Sequence, residues 1–418
     1  MSSALLSYNE AAALVAARAQ EFAGRRPALA HVDLAAASGR VLAEPVIADR
    51  DQPPFPRSTR DGYACRAEEA AAHGWLRMAG ATRAGAAPSG PVQPGTAWEI
   101  MTGAPVPSGA DAVVMLENMK TEEGRIRLRS SRSIEAGENI VARGAEALAG
   151  TQVLAAGTRL GPAQIALAAA FGYASVPVFA RPRVAILTTG DELVPVDATP
   201  GPGQIRNSNA PMLAALVAAA GGEPCLLPVA ADDPQALDSA LGRAARTDLL
   251  LITGGVSAGK FDLVEDALAR AGAEFHFTGV RIQPGKPVVF GELLRSSGDA
   301  GARIQPFFGL PGNPISSAVT CLLFAAPVMA ALSGSLELGP RFSLARLAAD
   351  CKGKPPLTRF VPAFCTFGGA PEQMPEVATV AWQGSGDLAA FARTNCFLCV
   401  PDDAERLQAG AIVRILLT

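Results

Sequence analysis

The chain has 418 residues, 49% of them hydrophobic and 18% charged, with a formal net charge of −3. That length is too great for one compact core and implies about three or four domains. The slightly acidic balance excludes a nucleic-acid surface, which needs concentrated basic charge.

The seven cysteines form no even, closely spaced framework, which suits a reducing compartment. Cys396 and Cys399 make one C-x-x-C, but Phe397 and Leu398 between them and the lack of a second pair mark core thiols. His31, His73 and His276 are scattered and sit in no motif, so catalysis must run on carboxylates, lysine, hydroxyls and backbone amides. No basic region followed by an apolar one opens the chain. The longest apolar run, residues 319–332, reads as shorter than a membrane span and carries Pro327. A soluble cytoplasmic protein is the expectation.

In chain order, Ser7-Tyr8-Asn9-Glu10 is a capping box that opens an Ala-rich helix ending near Gly24. From about residue 51 to 144 the chain is dense in Pro and Gly, with alternating stretches such as Arg125-Ile126-Arg127-Leu128. This predicts a mostly β domain inserted into a helical one. Helical periodicity returns over 161–171. From Arg183 onward, strands alternate with Gly-rich turns and helices. Val184-Ala185-Ile186-Leu187, Leu249-Leu250-Leu251-Ile252 and the shorter Phe307-Phe308-Gly309-Leu310 read as strands, with helices over 210–220, 234–245, 262–271 and 315–332. The pattern is that of an α/β doubly wound unit with a mainly parallel sheet. Short strands resume after Leu338 and suggest a small C-terminal β domain.

Ligands of open α/β sheets bind at the carboxyl ends of the strands. Three turns therefore matter: Thr188-Thr189-Gly190-Asp191-Glu192, Thr253-Gly254-Gly255-Val256-Ser257-Ala258-Gly259-Lys260 and Pro311-Gly312-Asn313-Pro314. Their glycines let the backbone approach an anion, and the following helices aim amides at it. Pro314 suits the first turn of a helix, with Ser316 and Ser317 as extra donors. The second turn satisfies G-x-x-x-x-G-K, yet Phe261 stands where a P-loop places its magnesium-binding hydroxyl, so a P-loop NTPase is set aside. Asp191, Glu192, Asp232, Asp233 and Asp262 crowd the same sheet end. Asp232 or Asp233 can simply cap the helix after Pro234. Phosphates beside several carboxylates imply a hard cation such as magnesium. Lys286, in Gln283-Pro284-Gly285-Lys286-Pro287, is one of only five lysines beside thirty-one arginines and sits in a rigid turn suited to meeting an oxyanion. Composition and periodicity stop at an anion-and-metal site on an α/β domain.

Eight segments, in order, resemble the molybdopterin molybdenumtransferase family, which includes the E domain of gephyrin. They are Asp61-Gly62-Tyr63-Ala64, Ile100-Met101-Thr102-Gly103-Ala104-Pro105-Val106-Pro107, Gly109-Ala110-Asp111-Ala112-Val113-Val114, Gly190-Asp191-Glu192-Leu193, Gly203-Gln204-Ile205-Arg206-Asn207-Ser208-Asn209, Gly254-Gly255-Val256-Ser257, Pro284-Gly285-Lys286-Pro287 and Leu310-Pro311-Gly312-Asn313-Pro314. The resemblance implies a homodimer with four domains per subunit. These are a helical dimerisation region (1–46 plus 148–178), an inserted β lid (47–147), an α/β molybdopterin-binding domain (179–335) and a C-terminal β domain that is barrel-like (336–418).

The implied reaction takes adenylyl-molybdopterin and molybdate as substrates and gives molybdenum cofactor and AMP, assisted by magnesium or another divalent cation. The implied catalytic residues are Asp61, Thr102, Glu146, Glu192, Asp232, Asp262 and Lys286, with the cation on Glu192 and Asp262. Asp61, Thr102 and Glu146 would come from the lid, that of the partner subunit. The substrate would be lined by Thr189, Gly190, Asp191, Gly254, Gly255, Ser257, Pro311, Gly312, Asn313, Pro314 and Ser385. The adenylyltransferase and molybdoenzyme chaperones are candidate further partners; nucleic acid and membrane are not.

Three segments depart from the family pattern. Arg60 replaces Met, Ala145-Glu146 replaces Glu-Asp, and Gln283 replaces Lys. Two alternatives follow. A molybdopterin adenylyltransferase shares the α/β domain but not the lid segments, and a scaffold protein of the same fold would bind without turnover.

Overall fold

The computed structural model describes residues 5–24, 27–72, 74–129, 132–254, 263–296, 302–368 and 374–418. The capping box forms as the sequence demands. The Ser7 side chain accepts the Glu10 amide at 3.2 Å, and Glu10 accepts the Ser7 amide at 2.7 Å, opening the helix Tyr8–Ala23. Tyr8, Ala11, Val15, Ala19 and Phe22 fall on one stripe of that helix and are all buried. They join the core of the α/β domain, beside Val184, Phe324 and Val328.

A separate small core unites the segments on either side of the lid. Strands Leu29–Asp33 and Ser175–Phe179 pair antiparallel, and Leu42, Val46, Leu160, Ala168, Val176 and Val178 pack together beneath them. Thus residues 29–46 and 153–178 share a core, while the first helix is committed to the α/β domain.

The inserted lid is a six-stranded sheet in the order Ala112–Met115, Gly62–Cys65, Thr96–Ile100, Leu76–Thr82, Arg125–Leu128, Met119–Glu122. Arg125–Leu128 alternates exposed and buried, as its sequence requires. Gly62 has no room for a side chain, since a Cβ there would run into the Val114 carbonyl on the neighbouring strand.

The α/β domain carries a six-stranded sheet in the order Glu223–Leu226, Arg183–Thr188, Leu249–Thr253, Ala302–Leu310, Val289–Ser296, Ala273–Phe277. The first four strands are parallel and Val289–Ser296 runs against its neighbours, so the sheet is mixed but mainly parallel. The strand read as Phe307–Leu310 is longer than its apolar half suggests. Its first residues pair with Val289–Ser296, and they include Arg303 and the fully buried polar Gln305, which break the apolar run in the sequence. Both faces are apolar and covered, which explains the unbroken runs Val184–Leu187 and Leu249–Ile252.

The apolar run at 319–332 is part of a longer helical segment, Pro314–Leu332, of 19 residues. By length and composition it could cross a membrane, which the run alone did not show, but 78% of it is buried inside the protein. Its middle, Cys321–Ala325, winds as a π-helix. Pro327 explains this, since it has no amide hydrogen to give the Leu323 carbonyl four residues back.

The C-terminal strands Thr358–Thr366, Glu376–Thr379, Phe342–Leu347, Ile412–Leu417 and Cys396–Val400 close on themselves, because the first also pairs with the last. The barrel is filled by Leu347, Val361, Val377, Cys396, Leu398 and Ile415. The alternate residues Phe360, Phe397 and Leu416 face outward and join the α/β core. Cys396 and Cys399 are buried free thiols, as their apolar setting predicts.

Candidate functional site

Strand Arg183–Thr188 ends in Thr189-Gly190, strand Leu249–Thr253 in Gly254 and strand Ala302–Leu310 in Pro311-Gly312. The three turns meet at the carboxyl edge of the parallel sheet. Gly254 has φ +95°, and a Cβ there would collide with the Thr189 carbonyl, so only glycine lets these turns touch.

Behind them lies a hydrogen-bonded lattice. Asn209 donates to Thr253 Oγ1 at 3.0 Å and to the Gly312 carbonyl at 2.6 Å. Asn207 donates to Thr188 Oγ1 at 2.9 Å and accepts the Ala210 amide. Ser317 Oγ, at 2.5 Å from the Pro311 carbonyl, also meets Thr253 Oγ1. Ser316 and Ser317 are buried, and Ser317 spends its hydroxyl on the turn itself, so the expectation of an extra anion donor is corrected for Ser317. Asp233 accepts the Ala236 amide and caps the helix Pro234–Ala244, which leaves Asp232 outside the helix.

The turns enclose a cavity of about 400 Å³, lined by Thr189, Glu192, Arg206, Asn209, Gly254 and Asn313 among others. Gly312 and Pro314 also line it, as do Gly386 and Leu388 from the C-terminal domain. Ser385 acts through its backbone, with its carbonyl accepting the Ile315 amide at 3.0 Å and tying the C-terminal domain to the start of helix Pro314–Thr320. Thr189 Oγ1 and Asn209 Oδ1 are buried with no hydrogen-bond partner among the described residues. Such orphans are rare and costly unless a ligand or water completes them.

The Glu192 carboxylate folds back over Gly190, where a Cβ would strike it. Asp191 accepts the Asp232 amide at 3.1 Å. Burial pushes the Asp232 carboxyl above its usual range, and the charges of Asp191 and Glu192 raise it further. Among the described residues no three His, Cys, Asp or Glu side chains form a closed metal cluster. Magnesium takes one or two carboxylates and completes its shell with phosphate and water, so this hard, uncompensated oxygen set fits it. Gly255, Ser257 and Asp262 lie outside the described residues, as do Lys260 and Phe261.

The remaining expected residues lie elsewhere. Lys286 is exposed and does not line the cavity. It follows Gly285, where a Cβ would collide with Thr320, so the turn is held against the helix. Asp61 accepts from the Thr102 amide at 2.6 Å and hydroxyl at 2.8 Å, and these two bonds hold its carboxyl below the usual carboxylate range. Glu146 pairs with Arg57 at 2.7 Å and borders a different cavity, of about 310 Å³, with Gln52, Val153 and Phe171. Among the described residues, none from the lid lines the cavity of the α/β domain within one chain.

Sequence reasoning assigned no role to the side chains of Arg206, Asn207, Asn209 and Leu388, all cavity-lining, and placed Thr188 and Thr253 in the turns that matter without singling out their side chains. The signal was present: Gly203 to Asn209 matched the family pattern, yet the strand that aims its polar side chains is only two residues long, Ile205–Arg206, too short for an alternation to reveal.

Three family models match in tandem. The MoeA N-terminal region (domain I and II) matches residues 6–172, a probable molybdopterin binding domain matches 185–331, and the MoeA C-terminal region (domain IV) matches 344–418. A molybdopterin molybdenumtransferase of Nostoc sp. is 41% identical over 403 residues, spanning 92% of this chain and 88% of the relative. One from Bacillus subtilis is 36% identical, spanning 90% and 87%. The crystal structure of a molybdopterin biosynthesis moeA protein from Pyrococcus horikoshii superposes with a TM-score of 0.79 at 30% identity, covering 99% of this chain and all of that one. With the lid, the α/β domain and the closing barrel all present in one chain and all matched, the chain belongs to the molybdopterin molybdenumtransferase family.

Proposed function

We propose that this protein inserts molybdate into adenylyl-molybdopterin, releasing AMP and leaving molybdenum on the dithiolene. The observation that carries this reading is the 400 Å³ cavity with two buried, unpartnered polar atoms, Thr189 Oγ1 and Asn209 Oδ1. A pterin ring brings N–H donors that would complete them. The relatives' names supply the reaction class.

In this reading Glu192, with Asp262, would hold a magnesium ion, and Asp191 and Asp232 would add negative charge around it. When bound, the ion would neutralise the phosphoanhydride and ease departure of AMP. Lys286, which has no ion pair among the described residues, adds a point charge for the anionic oxygens. Gly254, Gly312 and the Asn313 amide let the backbone approach the substrate. The lid residues Asp61, Thr102 and Glu146 reach the site from the partner of a homodimer. Asp61 is pre-oriented by Thr102, and Glu146 is aimed by Arg57. The free, mostly buried thiols suit a cytoplasmic setting. The adenylyltransferase that makes the substrate and chaperones that receive the product are the partners this chemistry calls for.

The test is AMP release from adenylyl-molybdopterin on adding molybdate, with Glu146→Gln beside the wild type. Release by the wild type and a large loss in the variant, with substrate still bound, support the reading. One observation favours a binding protein without turnover: Arg57 neutralises Glu146. No AMP release by the wild type would establish that second reading.

A further inference from the structure

We infer that Arg206 is the substrate's phosphate anchor, gripping the phosphoanhydride oxygens from the short strand beside the acidic turn. This rests on the proposed function and names a residue to which no role has yet been given.

Among the described residues lining the cavity, Arg206 is the one cation and Glu192 the one carboxylate. A ligand with a phosphoanhydride carries at least two negative charges. The acidic turn can meet them only through a bound cation, so among the described lining residues the direct positive charge comes from Arg206, in addition to any from Lys286 outside the cavity. The side chain is also held for the task. Its Nε donates to the Ala198 carbonyl at 3.0 Å, and Arg206 forms no ion pair with any described carboxylate. One edge of the guanidinium is therefore anchored while the two Nη groups remain for a ligand, and a planar fork of this kind matches phosphate oxygens in pairs.

The backbone beneath is fastened to the sheet end. Ile205–Arg206 pairs parallel with Leu193–Val194, the Ile205 amide meets the Glu192 carbonyl at 2.8 Å, and the Asn207 amide meets the Val194 carbonyl at 2.9 Å. The buried Asn207 side chain then bonds Thr188 at the tip of strand Arg183–Thr188. The same short ribbon thus sets both Glu192 and Arg206, so the positions of carboxylate and guanidinium are mechanically linked. A purely structural Arg206 would need only its Ala198 contact and would leave the charge of the cavity unbalanced.

The experiment compares wild type, Arg206→Ala and Arg206→Lys in steady-state AMP release at several salt concentrations. Arg206→Ala should raise the KM for adenylyl-molybdopterin roughly 10- to 100-fold, as loss of a charged hydrogen-bond pair does. Its kcat should change little and its KM should lose most of its salt dependence, while Arg206→Lys recovers part of the affinity. Calorimetry with inorganic pyrophosphate in magnesium buffer gives a second readout that needs no turnover, and binding to the wild type should weaken in Arg206→Ala. An unchanged KM overturns the inference. If the wild type shows no AMP release, the functional reading fails and calorimetry alone decides: equal pyrophosphate affinity, or none in the wild type, overturns the anchor.

Discussion

The carboxyls of Asp61 and Asp232 are shifted in opposite directions from the usual range, and each shift has a local cause. Asp61 accepts two hydrogen bonds from Thr102, which favour its ionised form. Its contribution to folding is present above the unfolded pKa and is lost only as pH falls through its lowered folded value. Thr102→Val removes the hydroxyl and keeps the amide, so the Asp61 titration followed by carboxyl NMR should move upward, towards 3.8. A titration identical to wild type would mean the hydroxyl contributes nothing. Asp232 behaves inversely. Burial and the neighbouring Asp191 and Glu192 favour its protonated form, so its contribution is present at low pH and is lost as pH rises through the raised folded pKa. In chelator, thermal stability should therefore decline through that window. Magnesium or Asp232→Asn should flatten the decline, and a profile indifferent to both would remove Asp232 from the cation's surroundings.

Among the elements, the first helix is tied to the far edge of the α/β sheet by one buried carboxylate. Glu292 accepts from Arg18 Nε at 2.7 Å and Nη2 at 2.6 Å, and meets His276 Nε2 at 3.0 Å. Its side chain is 6% exposed and that of Arg18 24%. Removing one partner of a buried pair strands the other charge, so Arg18→Ala should cost about 2–3 kcal/mol, the usual penalty reduced for the partly exposed arginine. Denaturant midpoints would measure it. A loss under about 0.5 kcal/mol would show that apolar packing of Val15, Ala19 and Phe22 alone holds the helix. At the other end of the sheet, Gly254→Ala should force the Thr189 and Gly254 turns apart and abolish ligand binding while the fold survives. Wild-type affinity in that variant would mean the turns need not touch.

For the whole molecule, the cavity and the lid's carboxylates are separate within one chain, which makes sense if two chains share each site. Sedimentation should then give a dimer at micromolar concentration. A sharper check mixes two inactive variants, Glu146→Gln and Glu192→Gln, under conditions that let subunits exchange. If each site draws its lid from the partner, half the dimers are mixed and each regains one intact site, about a quarter of wild-type activity. No recovery on mixing would place the whole site in a single chain.

The sequence by itself determined the local structure, because each of those signals acts over a few residues. The capping box at Ser7 and Glu10, the alternation in Arg125–Leu128, the buried strands Val184–Leu187 and Leu249–Ile252, and the Gly-rich turns at their ends were all legible. The tertiary structure decided what depends on distant neighbours. It carried strand Ala302–Leu310 past its apolar half, buried the long apolar helix Pro314–Leu332, sent the first helix to the α/β core and closed the C-terminal strands into a barrel. It also chose among equivalent polar groups, placing Arg206 and Asn209 on the cavity, pairing Glu146 with Arg57 and leaving Lys286 exposed. A side chain's direction depends on the elements packed behind it, and those come from residues far away in the chain, which no short-range pattern records.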